Sequence, residues 1–262
     1  MSIVEIFGLG VAAAAAGAIN AVAGGGTILT FPALLAFGVT SIVANATSTL
    51  ALVLGNGGSV YGYRRQMARV KPWLRRFVPA SLVGAAVGSW LLTVTPEKAF
   101  ARLVPFLILF ATVLFFLQGA FRRLAARGLE EGHAHPGAPA SPSHAGAIAF
   151  QFLVAVYGGY FGAGIGILML ASLGFIGLDD IHEMNALKSI LSALINLVAA
   201  IWFVFAGLIA WGPAAVMTVG ALAGYFLGSH YSQKIPQARV RQMITAIGFI
   251  LSALTFYQQF MK

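Results

Sequence analysis

The sequence predicts an all-α polytopic membrane protein built from two inverted five-segment repeats, with interrupted or hairpin helices and about 8–10 transmembrane segments. Three observations carry that expectation. Residues of the AVILMFWYC class fill 59% of 262 positions and charged residues only 9%, more apolar surface than a water-soluble domain of this length buries. Ten apolar segments can be drawn, two of them too short to cross a bilayer. The chain also matches itself, without a gap, at an offset of 140 positions.

The segments run over 3–23, 26–38, 41–62, 73–94 and 99–120, then 146–162, 165–177, 182–208, 212–230 and 240–260. Met1-Ser2-Ile3 leads into an apolar stretch carrying Glu5 rather than a basic leader with a cleavage site, so the first segment is expected to be retained. Segments two and seven hold about 13 residues, which cover about 20 Å of a hydrocarbon core of about 30 Å. Each follows a glycine cluster, Ala23-Gly24-Gly25-Gly26 in one case and the run from Gly158 to Gly166 in the other. Non-helical backbone at membrane depth persists only inside protein or beside a wet cavity. Segments one and two, and six and seven, therefore read as helical hairpins with glycine tips inside the membrane.

The self-match pairs Ala23, Gly24 and Gly26 with Ala163, Gly164 and Gly166, Asn45-Ala46 with Asn185-Ala186, and Asn56 with Asn196. It also pairs Leu82, Gly84, Gly88 and Ser89 with Leu222, Gly224, Gly228 and Ser229, and Pro96 with Pro236. Matches of alanine, glycine and leucine mean little in so biased a composition. The asparagines are decisive, because the chain has five and four of them pair.

Charge sets the expected orientation. Of sixteen Lys and Arg residues, twelve fall in three connections: Arg64, Arg65, Arg69, Lys71, Arg75 and Arg76; Arg122, Arg123 and Arg127; Lys234, Arg239 and Arg241. Cytoplasmic loops carry such an excess. The second-half equivalent of the first basic connection, Phe205 to Pro213, has no charge and belongs on the opposite side. An inverted pair follows, in a bacterial inner (cell) membrane, with both termini outside the cytoplasm. Residues 1–121 form the first repeat, 122–145 a cytoplasmic linker and 146–262 the second, inverted repeat. The linker's core, 128–145, holds three prolines with several glycines and reads as flexible.

The net charge of +9 is explained by orientation, so nucleic acid is not an expected partner. There is no cysteine, which excludes disulfides and thiolate chemistry. No Ser-His-Asp, HExxH, Walker or GxSxG constellation is present, so no enzyme, catalytic residue or cofactor is expected. His133, His135 and His144 sit in the linker, where solvated side chains are the ordinary case and a weak metal sensor the alternative.

The run from Asn20 to Leu35 (NAVAGGGTILTFPALL), followed by Ala44-Asn45-Ala46-Thr47-Ser48, resembles the first half of the TauE/SafE sulfite-exporter family. Gly162-Ala163-Gly164-Ile165-Gly166 with Asn185-Ala186-Leu187-Lys188-Ser189 is similar to its second repeat. The resemblance covers nearly the whole chain outside the linker. It implies transport of sulfite, sulfonates or related small anions, without choosing among them.

The residues themselves point to an anion. A helix N-terminus carries roughly half a positive charge and unpaired N–H groups. The candidate substrate-binding set is therefore Gly24, Gly25, Gly26, Gly164 and Gly166 at the tips, with Asn45, Thr47, Ser48, Asn185, Lys188 and Ser189 on the helices that follow. Each has a plainer reading: the glycines allow close packing, and the asparagines bond between helices. Lys188 lies deep in an apolar segment, where an unpaired ammonium is disfavoured by about 3 kcal/mol. It either snorkels, pairs with Glu183 or Asp180, or faces the anion. Asp179, Asp180, His182 and Glu183 start segment eight, where N-capping suffices. His182 and Glu183 are also the candidates for proton coupling.

The expected function is a secondary transporter, an exporter of small organosulfur anions working by alternating access with the bilayer and a small anion as partners. Proton-coupled uptake of a sulfonate or carboxylate, or a non-transporting scaffold, are the alternatives. Oligomeric state is not legible.

Overall fold

The computed structural model describes residues 1–22, 25–62, 67–131, 144–174, 181–231 and 237–260. Among them the chain forms ten α-helices: α1 Ile3–Val22, α2 Thr27–Ala36, α3 Ser41–Gly62, α4 Met67–Val94, α5 Glu97–Glu131, α6 His144–Tyr160, α7 Ile165–Gly174, α8 Ile181–Phe205, α9 Trp211–Tyr231 and α10 Gln237–Phe260. Each expected segment has its helix. Two extend more than a turn beyond their apolar runs. α4 starts at Met67 and α5 continues to Glu131, because Ala, Arg, Leu and Glu remain good helix formers after hydropathy has fallen.

Six helices are long and apolar enough to cross a membrane among the described residues: Ile3–Ala21, Arg69–Val94, Glu97–Leu117, Ala186–Phe205, Trp211–Gly228 and Gln242–Phe260. Thr27–Ala36, Ser41–Leu54 and Ala145–Tyr160 are shorter apolar helices. α2 and α7 have 10 residues each, about 15 Å at 1.5 Å per residue, half of the hydrocarbon thickness. Large apolar side chains such as Phe7, Phe116, Phe205, Val219 and Phe226 are exposed along the long helices. In water that surface would aggregate; in lipid it is the solvated face.

Local chemistry fixes the helix starts. Ser2 and Glu5 form a reciprocal capping box, Glu5 N donating to Ser2 Oγ at 3.2 Å and Ser2 N to Glu5 Oε2 at 3.0 Å. At α3 the cap comes from another helix. Both carboxylate oxygens of Glu97, at the start of α5, accept the Ser41 and Ile42 amides at 2.5 and 3.1 Å. A negative charge at a helix N-terminus is favourable, and here it also ties α5 to α3.

Two seams of small residues bring backbones together. α1 packs on α9, where a Cβ on Gly17, Gly220 or Gly224 would run into the carbonyl of Ala221, Gly10 or Ala14. α4 packs on α6, where Gly84 and Gly88 face the Phe152 and Val156 carbonyls and Gly159 faces that of Ala85. Without a hydrophobic drive between helices in lipid, such close approach supplies the association through dispersion. The α4–α6 seam adds a buried hydrogen bond from Gln151 Nε2 to Ser81 Oγ at 2.9 Å.

α3 and α8 pack on each other between these seams, α3 also meeting α9 and α8 meeting α4. α5 packs on α10 and α7. Ser252 of α10 donates to the Pro105 carbonyl of α5 at 3.3 Å. The interior is aromatic. Phe31, Phe100, Phe115 and Phe203 are fully enclosed, and Phe31 meets Phe161 edge to face at 5.5 Å.

Candidate functional site

The first glycine turn lies between α1 and α2. Gly24 falls outside the described residues; Gly25 and Gly26 are described. Gly25 has φ +96°, a left-handed conformation in which a Cβ is costly, and a Cβ there would overlap the Phe115 ring. Gly26 is enclosed for a different reason. A Cβ on it would stand 2.7 Å from the Ala16 carbonyl oxygen and 2.9 Å from Asn20 Nδ2.

Side chains bond this turn into place. The Gly26 amide donates to Asn20 Oδ1 at 2.6 Å, and the Asn20 side chain is also hydrogen-bonded to Tyr225 of α9. Thr30 Oγ1 donates to the Gly26 carbonyl at 3.2 Å and lies 2.6 Å from Ser48 Oγ. One α2 amide expected to face a ligand is therefore held by a protein oxygen in this conformation. Ser48 is joined to the turn through Thr30.

The second turn runs from Phe161 to Gly164 between α6 and α7. Gly162 and Gly164 have φ +81° and +78°. A Cβ on Gly164 would meet Leu114 Cδ1 at 3.5 Å and Phe115 Cε2 at 3.8 Å, ordinary contacts, so glycine is required there by backbone conformation alone. Tyr157 O–H donates to the Ala163 carbonyl at 2.7 Å. Gly162 faces Asn196 of α8, whose Oδ1 lies 3.3 Å from the position of a Cβ.

Asn45 reaches across the molecule. It is 1% exposed, and its Nδ2 donates at 3.0 Å to the Tyr160 carbonyl in the second turn, not to its own half. Its Oδ1 has no hydrogen-bond partner among the described residues. Thr47, one residue short of the face used by Ser48, accepts the Ala210 amide at 3.0 Å in the connection from α8 to α9. Asn45, Thr47 and Ser48 thus sit within one turn of α3 but serve three different neighbours.

On α8, Lys188 is half-buried and its stem lies over the first turn of α7. A Cβ on Gly166 would touch Lys188 Cδ at 3.5 Å and Cε at 3.9 Å. Ser189 and Glu183 are half-buried. The side chains of Asn185 and His182 lie outside the described residues, as do Asp179, Asp180 and residues 132–143 of the linker. Among the described residues no group of three metal-ligating side chains occurs.

Sequence reasoning did not single out Asn20, Tyr157, Tyr160 or Phe115. Asn20 was legible as an unpaired asparagine of the repeat, next to a glycine cluster. Nothing distinguishes Phe115 among twenty phenylalanines. A cavity of about 550 Å³ lies elsewhere, between α4 and α8, lined by Thr93, Val198, Ile201, Trp202, Phe205 and Ala206. Phe205 and Ile201 are exposed, so it opens on the apolar exterior, and its lining carries no charged side chain.

Long apolar helices around two buried glycine turns define a multi-pass membrane protein whose polar groups are gathered inside. Comparison supplies the particular family. Residues 9–255 match the model of the family described as sulfite exporter TauE/SafE, and the chain belongs to that family. It is 27% identical over 246 residues to the "Probable membrane transporter protein YfcA" of Escherichia coli (strain K12), covering 92% of this chain and 86% of that one. It is 28% identical over 244 residues to a "Probable membrane transporter protein" of Haemophilus influenzae, covering 92% and 90%. A Sinorhizobium protein, "Probable membrane transporter protein ORF9", is 28% identical over 253 residues, covering 92% and 88%. No solved structure matches. The chain is a membrane transporter and not an enzyme.

Proposed function

We propose that the protein is a secondary transporter that exports a small organosulfur or related oxyanion, such as sulfite or a sulfonate, by alternating access. The observation that carries this reading is the convergence of both glycine turns on one place in the interior, the Phe115 ring. Two half-length helices then begin near a common point, and each begins with the positive end of its dipole. The site would be completed by Asn45, Ser48 and Thr47 from α3 and by Asn185, Lys188 and Ser189 from α8, with the Lys188 ammonium as the formal positive charge.

In this reading residues 1–121 and 146–262 are inverted repeats joined by a linker over 122–145, with both termini outside the cytoplasm. The packing pattern supports it: exchanging α1–α5 for α6–α10 turns the α1–α9 seam into α6–α4, and α3–α9 into α8–α4. Such repeats, with interrupted helices near the midplane, are a common build of secondary transporters. An inside-negative potential of about 100 mV favours expulsion of one negative charge by about 2.3 kcal/mol, so no coupled ion is needed.

The test is flux of labelled sulfite, a short sulfonate and a small carboxylate in proteoliposomes, with membrane potential and pH gradient set independently. Efflux that follows potential and falls in Lys188→Ala is expected. Flux that instead follows the pH gradient and is lost in Glu183→Gln would replace export by proton-coupled uptake, and no flux of any anion would leave a scaffold.

A further inference from the structure

We propose that Phe115 is the gate of the transporter: its ring closes the space between the two glycine turns, and the anion passes only when the ring swings aside. The inference rests on the transport reading above and adds to it the residue that limits access.

The geometry is specific to this side chain. Phe115 is 1% exposed and projects from α5 between the two turns. On one side its ring fills the space where any residue but glycine at position 25 would carry a Cβ; on the other its Cε2 lies 3.8 Å from the corresponding point of Gly164. One ring therefore touches both places where α2 and α7 begin. The contact on the Gly25 side is the tighter, so the ring is pressed against the first turn and has van der Waals clearance from the second.

No ring stands at the equivalent position of the other half. The positions 140 further on are Leu254 and Thr255 of α10. Leu254 is 51% exposed, whereas Leu114 is 5% exposed. The Thr255 hydroxyl donates back to the Leu251 and Ser252 carbonyls of its own helix. Phe115 thus reaches both turns from a position that has no aromatic equivalent in the second half. Structural packing alone would be satisfied by an aliphatic side chain, as at Leu114, whose Cδ1 lies 3.5 Å from where a Cβ on Gly164 would stand.

A phenyl ring suits this work chemically. It has no polar group of its own that would compete for the donors at the turns. Its edge carries partial positive charge, so an anion sliding past meets a tolerable surface. Its two side-chain torsions allow the ring to move without unwinding α5.

The chain has no cysteine, which makes a single introduced thiol a clean reporter. Ala163→Cys places it beside Gly164, where Ala163 is 1% exposed. In proteoliposomes the probe is methanethiosulfonate ethylsulfonate, itself a small sulfonate. We expect modification roughly ten-fold faster in Phe115→Ala, the change produced by removing a barrier of one decade, with an intermediate rate in Phe115→Leu and a slower one in Phe115→Trp. Sulfite and sulfonate flux should rise in the same order, and the bulkier anion should gain most. Equal modification rates across the folded variants would overturn the gate, as would flux that falls in step with thermal stability. Should Phe115→Ala not fold, the Leu and Trp variants decide the order. Absence of flux in the wild type would sink the transport reading, while the modification rates would still judge the ring as a barrier.

Discussion

Gly26 and Gly166 occupy the same position in the 140-residue repeat, and their surroundings differ. Gly26 is enclosed by the Ala16 carbonyl and the Asn20 side chain, which accepts its amide. A Cβ on Gly166 would meet first the methylenes of Lys188, at the ordinary contact distances of 3.5 to 3.9 Å. The first turn is bonded to Asn20, Thr30 and Ser48 of its own half, of which Asn20 is tied on to Tyr225 of α9. The second is held by Tyr157 and by Asn45 from the other half. Repetition in sequence therefore gives the two turns neither the same surroundings nor the same backbone: Gly25 is left-handed where its equivalent Ile165 is not, and among the described residues only the second turn has a basic side chain, that of Lys188, lying over the helix that follows it.

Substitutions should separate the two. The largest effect is expected at Gly25→Ala, which combines left-handed strain with overlap of the Phe115 ring. Together these should cost about 2–5 kcal/mol. Thermal unfolding in detergent should show a large drop in midpoint and poor folded yield. A variant as stable as the wild type would mean the first turn is not rigid.

Gly26→Ala should be next, at about 1–3 kcal/mol, because the methyl meets a backbone carbonyl that cannot move without shifting α1. Its flux should fall along with its stability. Asn45→Ala should cost about 1–3 kcal/mol by leaving the Tyr160 carbonyl unpaired. That loss tests whether the second turn depends on the first half; the loss in a double variant with Tyr157→Phe should depart from the sum of the two single losses if both hold the same turn.

Much of this was legible in the sequence because lipid imposes simple rules. Length and hydropathy located the helices, and the short ones declared themselves by failing to reach about 30 Å. The ends of α4 and α5 were missed for the same reason, since charged residues end an apolar run without ending a helix. At the site, the glycines and Asn45 stood out as polar or flexible positions in an apolar chain. Their partners did not. That Asn45 bonds to Tyr160, Thr47 to Ala210 and Phe115 fills the gap at Gly25 depends on helices more than 60 residues apart coming together, and a spacing rule sees only one helix at a time.

The smallest effect on stability, and the sharpest on the comparison, is expected at Gly166→Ala. The new methyl makes only ordinary contact, at 3.5 Å from Lys188 Cδ. Replacing glycine inside a helix by alanine should even stabilise α7 by about 0.5–1 kcal/mol. If the Lys188 stem lies along the substrate path, the methyl should narrow that path beside the stem and lower anion flux in a protein that melts at or above the wild-type temperature, as Lys188→Ala should through loss of charge. Adding Gly166→Ala to Lys188→Ala should then change flux little further, because both act at the same point of the path. Full flux in Gly166→Ala with reduced flux in Lys188→Ala would put the ammonium to work away from the α7 turn. The asymmetry would then lie in charge alone and not in the space around the second glycine.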